Sequence, residues 1–329
     1  PYGPALTDPR AEHAGIPDLR TMLSRDENPE LDGPPMTPAE LRARLDQCQA
    51  HRERSRYSAL VTALPELLNH GFALVAEARP GAEAETAWAL LDDTYEFANV
   101  ASLRFGYYDL GALAARCGRD AAAKTGDPLR AAVAGSRYCS VQLQRGDYTG
   151  VLRATGRGHA LLDGERSPAA QAVRAVLHLR QASVHARQGA LDRADEHIDE
   201  ARRLVSAGVP ANPFHGVLAN LANVDIHYVS APVQLSDGTT AVARAEQVRF
   251  PADTQPSRVG HHWINVARAW TLHGDRTKAL DALKQARTVT PQQTRYSANV
   301  HETVRILAER DRRANDTLAG FARWVGLTI

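Results

Sequence analysis

The sequence predicts an all-α fold, a right-handed superhelical array of antiparallel helix pairs (an α-solenoid), and three observations carry that prediction. The first is composition. The chain is 43% hydrophobic but only 6% aromatic, and it is rich in Ala, Leu and Arg, which lose little freedom on entering a helix. The second is internal repetition: glycines that read as hairpin turns, Gly106, Gly146, Gly189 and Gly274, recur at intervals of 40, 43 and 85 residues. The last interval is two periods, so a further unit is expected, centred near residue 229. The third is that apolar residues flank these turns at helical spacing, with small residues where two helix backbones must approach.

Taken in order, residues 1–36 are rich in Pro and Gly and read as an irregular segment with one short helix near Ile16–Ser24. Thr37 then supplies an N-cap, Pro38 a first helical position, and Glu40 the third member of a capping box. Leu41, Leu45, Leu60, Val61, Leu64, Leu67 and Leu68 follow at helical spacing, interrupted by the polar stretch 47–56. Residues 37–80 therefore read as a long helix or a helix pair, closed by Arg79-Pro80-Gly81, with Pro65 marking a kink or a new first turn.

Residues 81–329 read as the repeat domain. Its clearest unit is Gly260–Pro291: Trp263, Ala267 and Trp270 share one helical face, Gly274-Asp275 turns, Ala279, Leu283 and Ala286 share the facing one, and Pro291 stops it. This is the tetratricopeptide (TPR) pattern. Weaker units hold Ala182, Gly189, Ala194, Ile198 and Ala201; Cys139, Gly146-Asp147, Val151, Leu152 and Gly158; and Trp88, Tyr95, Gly106, Gly111 and Ala115. In the unit near 229, Val217–Val229 is helical in pattern and a longer loop, residues 230–240, replaces the turn. Ala298–Arg310 and Thr317–Val325 form a capping pair. The period exceeds the 34 residues of an ordinary TPR.

Charge and motifs exclude several functions. A net charge of +1 is too balanced for the chain as a whole to bind nucleic acid through its phosphates. Cys48, Cys117 and Cys139 are an odd, widely spaced set, which suits a reduced, cytoplasmic setting and offers no C-x-x-C pattern. No run approaches the ~18 consecutive apolar residues of a membrane span, so no membrane contact is expected. The chain opens at Pro1 on Pro-rich sequence without an initiator Met, and a preceding domain is expected. Nucleophile-elbow, zincin and P-loop motifs do not occur, so neither enzymatic activity nor a cofactor is expected. His261 and His262 are adjacent and point about 100° apart. His178 and His185 share a face but lack a third ligand at helical spacing, and no metal is expected.

The binding surface is expected on the first helices of the units, whose residues just off the packing face line a concave groove. Asn220 with Asn223, and Asn265 with Arg268, are i, i+3 pairs one repeat apart. His227 and His261 fall near the same surface, Asn299 and Arg305 extend it on the last pair, and Ser136, Arg137, Ser140 and Gln144 continue it farther up. Asn offers a donor and an acceptor to a peptide backbone, and Arg grips a carboxylate with two parallel bonds. Trp88, Tyr95, Trp263 and Trp270 read as core, and the basic run 52–56 as a solvated turn.

Three stretches, RYSALVTALPELL (Arg56–Leu68), ETAWALLDDTYEFANV (Glu85–Val100) and AAKTGDPLRAAV (Ala122–Val133), resemble the C-terminal sensor region of actinobacterial XRE-type helix-turn-helix regulators. The layout is also similar to the TPR peptide-pheromone receptors of Gram-positive bacteria. The resemblance implies a ligand-sensing region for a peptide or small-molecule effector, a homodimer assembled through the helices of 37–80, and DNA contact only through an N-terminal domain that this chain lacks. The alternatives are a protein–protein adaptor without DNA binding and, third, an enzyme or biosynthetic helper.

Overall fold

The computed structural model of the chain describes residues 13–25, 28–208, 218–310 and 316–329. Sixteen helices and no strand run through them. In order they are α1 (Ile16–Ser24), α2 (Pro38–Glu53), α3 (Tyr57–Glu77), α4 (Ala82–Arg104), α5 (Tyr108–Ala123), α6 (Pro128–Arg145), α7 (Tyr148–Leu161) and α8 (Pro168–Arg187). Then follow α9 (Leu191–Ser206), α10 (Leu221–Gln234), α11 (Gly238–Ala245), α12 (Pro256–His273), α13 (Arg276–Val289), α14 (Pro291–Arg295), α15 (Ala298–Arg310) and α16 (Asp316–Val325). The helices pack in adjacent pairs.

Local sequence sets the ends of these helices. The capping box is formed: Glu40 N donates to Thr37 Oγ1 at 3.3 Å, and Thr37 N donates to Glu40 Oε2 at 2.8 Å. Residues 37–80 resolve into the pair α2–α3, with Pro65 accommodated inside α3. The four turn glycines all adopt positive φ, 83° at Gly106, 73° at Gly146, 83° at Gly189 and 102° at Gly274. That left-handed conformation costs glycine nothing and other residues roughly 1–2 kcal/mol.

The unit near 229 corrects the expectation of a long loop. α10 continues through Pro232 to Gln234, and only Leu235–Asp237 separates it from α11. The left-handed position there is filled by Ser236, at φ 61°. Asp237 then caps α11 by accepting from Thr240 N at 3.0 Å. The turn is as tight as the others, but it carries no glycine to mark it. The expected start of this helix at Val217 lies outside the described residues.

Packing explains the most apolar helix. α3 is long and apolar enough to span a membrane by composition, the one such helix among the described residues. Its Leu60, Val61, Leu64, Leu67, Leu68 and Phe72 are instead fully buried in a core shared with α1, α2, α4 and α5, each contributing on the order of 1.5–3 kcal/mol. A second core joins α12 and α13 to α15 and α16 around Ala267, Ala279, Leu283, Ala286, Val300, Val304 and Phe321. Backbones come close where the small residues lie: a Cβ added at Gly260 would sit 1.9 Å from Thr290 Oγ1. Tyr95 is buried as expected. Trp88 and Trp270 are half-buried and each lies beneath an ammonium group, Lys124 Nζ at 3.5 Å and Lys278 Nζ at 4.1 Å from the ring centre.

The end of the array returns to its beginning. Tyr57 Oη donates to Gln293 Oε1 at 3.1 Å, and Ser58 N donates to Gln292 Oε1 at 3.2 Å. Gln292 Nε2 donates to Ser58 Oγ at 2.8 Å, and Gln255 Nε2 to Glu53 Oε1 at 3.2 Å. The rings of Phe105 and Tyr296 meet with centroids 5.2 Å apart. α14 thus abuts the α2–α3 turn, and the two ends of the array meet along that seam.

Candidate functional site

Inside this closure lies a chamber of about 880 Å³. The first helix of each pair faces it, so one stripe per helix, at i, i+3 and i+4, supplies the lining. α4 contributes Glu96, Asn99 and Arg104; α6 contributes Ser136, Arg137 and Ser140; α8 contributes Val176 and Arg180. α10 adds Asn223 and His227, α12 adds Arg258 and His261, and Arg52 enters from α2. Gln144, Arg145 and Arg187 are exposed at the rim.

Of the residues singled out from the sequence, Ser136, Arg137, Ser140, Gln144, Asn223, His227, His261 and Asn299 come together on this lining. Four do not. Asn220 precedes α10 as its N-cap, accepting from Asn223 N at 2.8 Å, so the helical spacing expected to pair the two does not apply. Asn265 is buried within the body of α12, with Nδ2 lacking a hydrogen-bond partner. Arg268 is off the lining, its pKa lowered by burial despite the field of Glu302. Arg305 lies on the exposed side of α15.

Most of the arginines on the lining are not marked by the sequence. Arg52, read as part of a solvated turn, faces the chamber, as do Arg104, Arg180 and Arg258. A signal existed: Arg137, Arg180 and His227 each stand nine residues before the left-handed turn residue of their unit, Gly146, Gly189 and Ser236. Aligning units on glycine alone hid the third member.

Along one wall of the chamber the arginines are paired with carboxylates. Asp92, fully buried on α4, receives Arg130 Nη1 at 2.6 Å and Arg137 Nη1 at 2.7 Å. Asp93 receives Arg130 at 2.7 Å and Arg42 at 2.7 Å. Glu96 pairs with Arg52 at 3.4 Å and with Arg137 Nε at 3.1 Å, the latter an ion pair without hydrogen-bond alignment. This network ties α2, α4 and α6 together.

Three further arginines of the lining, Arg104 of α4, Arg180 of α8 and Arg258 of α12, are not paired in this way. Among the described residues no carboxylate lies within ion-pair distance of Arg104, Arg180 or Arg258, and the Nε atoms of Arg180 and Arg258 are buried without a hydrogen-bond partner. Arg258 Nη1 donates to Asn223 Oδ1 at 2.9 Å, a neutral acceptor. Burial, then the neighbouring charges of Arg104, Arg52 and Arg180, push the Arg258 guanidinium down to about 9. A guanidinium remains protonated at neutral pH, so the strain falls on the free energy of the folded state. His227 is driven to about 3 by burial and by Arg180 and Arg258. His261 is driven well below its usual value by burial and by Arg258 and Arg104. Both imidazoles are neutral at pH 7 and add hydrogen-bonding capacity without adding charge.

A second histidine group lies away from the chamber. His178 and His185 of α8 are joined by His159 of α7 and His197 of α9, with ring centroids 4.8 to 5.3 Å apart along the chain of contacts and His178 Nδ1 2.9 Å from His197 Nδ1. Two of the four come from other helices, which spacing within α8 does not reveal. Among the described residues no three His, Cys, Asp or Glu side chains are arranged to hold a metal ion. Comparison with protein-family models, curated proteins and solved structures finds no match for this chain.

Proposed function

We propose that this chain is the ligand-sensing region of a cytoplasmic regulator, a TPR-like right-handed superhelix that takes a small molecule or a very short peptide into its central chamber. The observation carrying this reading is the chamber itself. Its volume of about 880 Å³ falls in the range of small-molecule sites, roughly 300–1,000 Å³, and its polar groups converge from six or more helices. A protein–protein adaptor requires its concave face to be open to an extended segment. Here the Tyr57–Gln293 and Ser58–Gln292 contacts tie α14 to the start of α3 along one edge of that face, which favours the sensor.

Each helix pair packs mainly on its neighbours, so a ligand that bridges inner helices changes the small rotations between pairs, and these accumulate along the array. The α14 seam is where the accumulated change is felt. DNA contact is assigned to a separate helix-turn-helix domain and dimerisation to the α2–α3 pair, in keeping with the resemblance of the sequence to sensor regions of such regulators. His227 and His261, held neutral and far below neutral pH, are weak bases for catalysis, which counts against the enzyme alternative.

Blocking the chamber tests the reading. Ser140→Trp places a large ring on the lining. Calorimetric titration with fractionated small-molecule extracts of the producing cells should give binding heat with the wild-type chain and none with the blocked one. Heat that survives blocking, or no heat from any fraction, contradicts the proposal.

A further inference from the structure

We infer that the ligand of this chamber is a small polyanion, a molecule presenting at least two negative charges on phosphate or carboxylate oxygens, gripped by Arg104, Arg180 and Arg258. The inference deepens the chamber reading and rests on it.

Charge is the first ground. Seven arginines line the chamber against two carboxylates, Glu96 and Asp109. Both carboxylates are engaged, Glu96 by Arg52 and Arg137 and Asp109 by Arg20 at 2.8 Å. Neither lies within ion-pair distance of Arg104, Arg180 or Arg258, and only Arg180 feels the field of Glu96.

Unmet hydrogen bonding is the second. A guanidinium carries five donors in a fixed fork suited to two oxygens of one oxyanion. Arg180 Nε and Arg258 Nε are both buried with no acceptor. Buried polar groups are almost always satisfied, and a buried charge is paired unless its partner is a ligand. Both side chains are half-buried and line the chamber.

Mutual repulsion is the third. Arg258 and Arg104 act on one another's surroundings as like charges, and Arg52 and Arg180 add to the same field. An array gains nothing in stability from such a cluster. A dianion entering it is attracted by every member, while the neutral His227 and His261 and the amide of Asn223 add uncharged donors around it. A neutral ligand leaves the repulsion in place.

Two measurements on the full chain test this. The first needs no ligand. Arg180→Gln and Arg258→Gln should each raise the thermal midpoint of the free protein, because a buried and incompletely bonded charge is removed; an arginine retained for structure would lower it. The second uses inorganic pyrophosphate and citrate as probes at fixed ionic strength. At least one should raise the Tm saturably, with affinity about tenfold weaker or worse in either variant, one charge-assisted contact being worth that much. Pyrophosphate alone marks a phosphate ligand, and citrate alone a carboxylate one.

Failure of both probes, or stabilisation equal in wild type and variants, overturns the polyanion. If uncharged molecules bind instead and Ser140→Trp abolishes their binding, the chamber reading survives while the polyanion falls. If Ser140→Trp leaves all binding unchanged, both fall.

Discussion

Tyr57 Oη donates to Gln293 Oε1 at 3.1 Å, joining residues 236 apart in sequence. Ser55 Oγ donates to the same oxygen at 3.3 Å, and all three side chains are buried. Gln293→Ala leaves two hydroxyls buried without that acceptor, a loss of about 1–3 kcal/mol. We expect urea denaturation to show it. Faster hydrogen exchange in α14 and in the α2–α3 turn, with α8 and α9 unchanged, should accompany it as the seam opens.

The ion network behind the chamber is a different case from the unpaired arginines. Asp92 is fully buried and holds both Arg130 and Arg137. Asp92→Asn removes the shared counter-charge from two buried guanidinium groups, and breaking such a network costs about 3–5 kcal/mol. Equilibrium unfolding should report a loss of that size. A change below 1 kcal/mol would mean that the network is solvated in solution.

Acid should destabilise the fold before ordinary carboxylates titrate. Burial holds His262 down to about 4, where it lies between Phe250 and Trp263, and burial likewise takes His178 to about 4 and His227 to about 3. The unfolded chain binds these protons near pH 6.5 and the folded chain does not. Stability is therefore complete above about pH 6.5 and falls as pH drops toward 4. His262 alone accounts for on the order of 3 kcal/mol across that window. Denaturation midpoints measured from pH 7.5 to 4.5 should decline steadily, and less steeply in His262→Gln.

Ser236 fills the left-handed turn position that glycine holds in neighbouring units, at φ 61°. Ser236→Gly relieves about 1–2 kcal/mol of backbone strain and forfeits about 0.5–1 kcal/mol to unfolded-state entropy. A net gain near 0.5–1 kcal/mol is expected from thermal or chemical denaturation.

Elements with local signals were legible in the sequence. Thr37-Pro38-x-Glu40 marked the start of α2, and Gly146 and Gly274 marked turns, because capping and positive φ are properties of a few adjacent residues. The α10–α11 turn was read as a longer loop because Ser236 carries no such mark, and Pro232 in fact lies inside the last turn of α10. Helical stripes placed Ser136, Ser140, Asn223 and His261 on one inner surface. Asn220 misled because a cap and a first-turn residue look alike at i, i+3. Closure at Gln293 and the meeting of Arg104, Arg180 and Arg258 depend on curvature summed over many pairs, and no short window of sequence records it.

An oxyanion is expected to fill the chamber, and the most direct test is to see one there. Crystals soaked in tungstate, a heavy dianion that mimics phosphate, should give an anomalous peak within hydrogen-bond reach of the Arg180 and Arg258 guanidinium groups. Peaks confined to the outer surface, with the chamber empty at saturating tungstate, would contradict it.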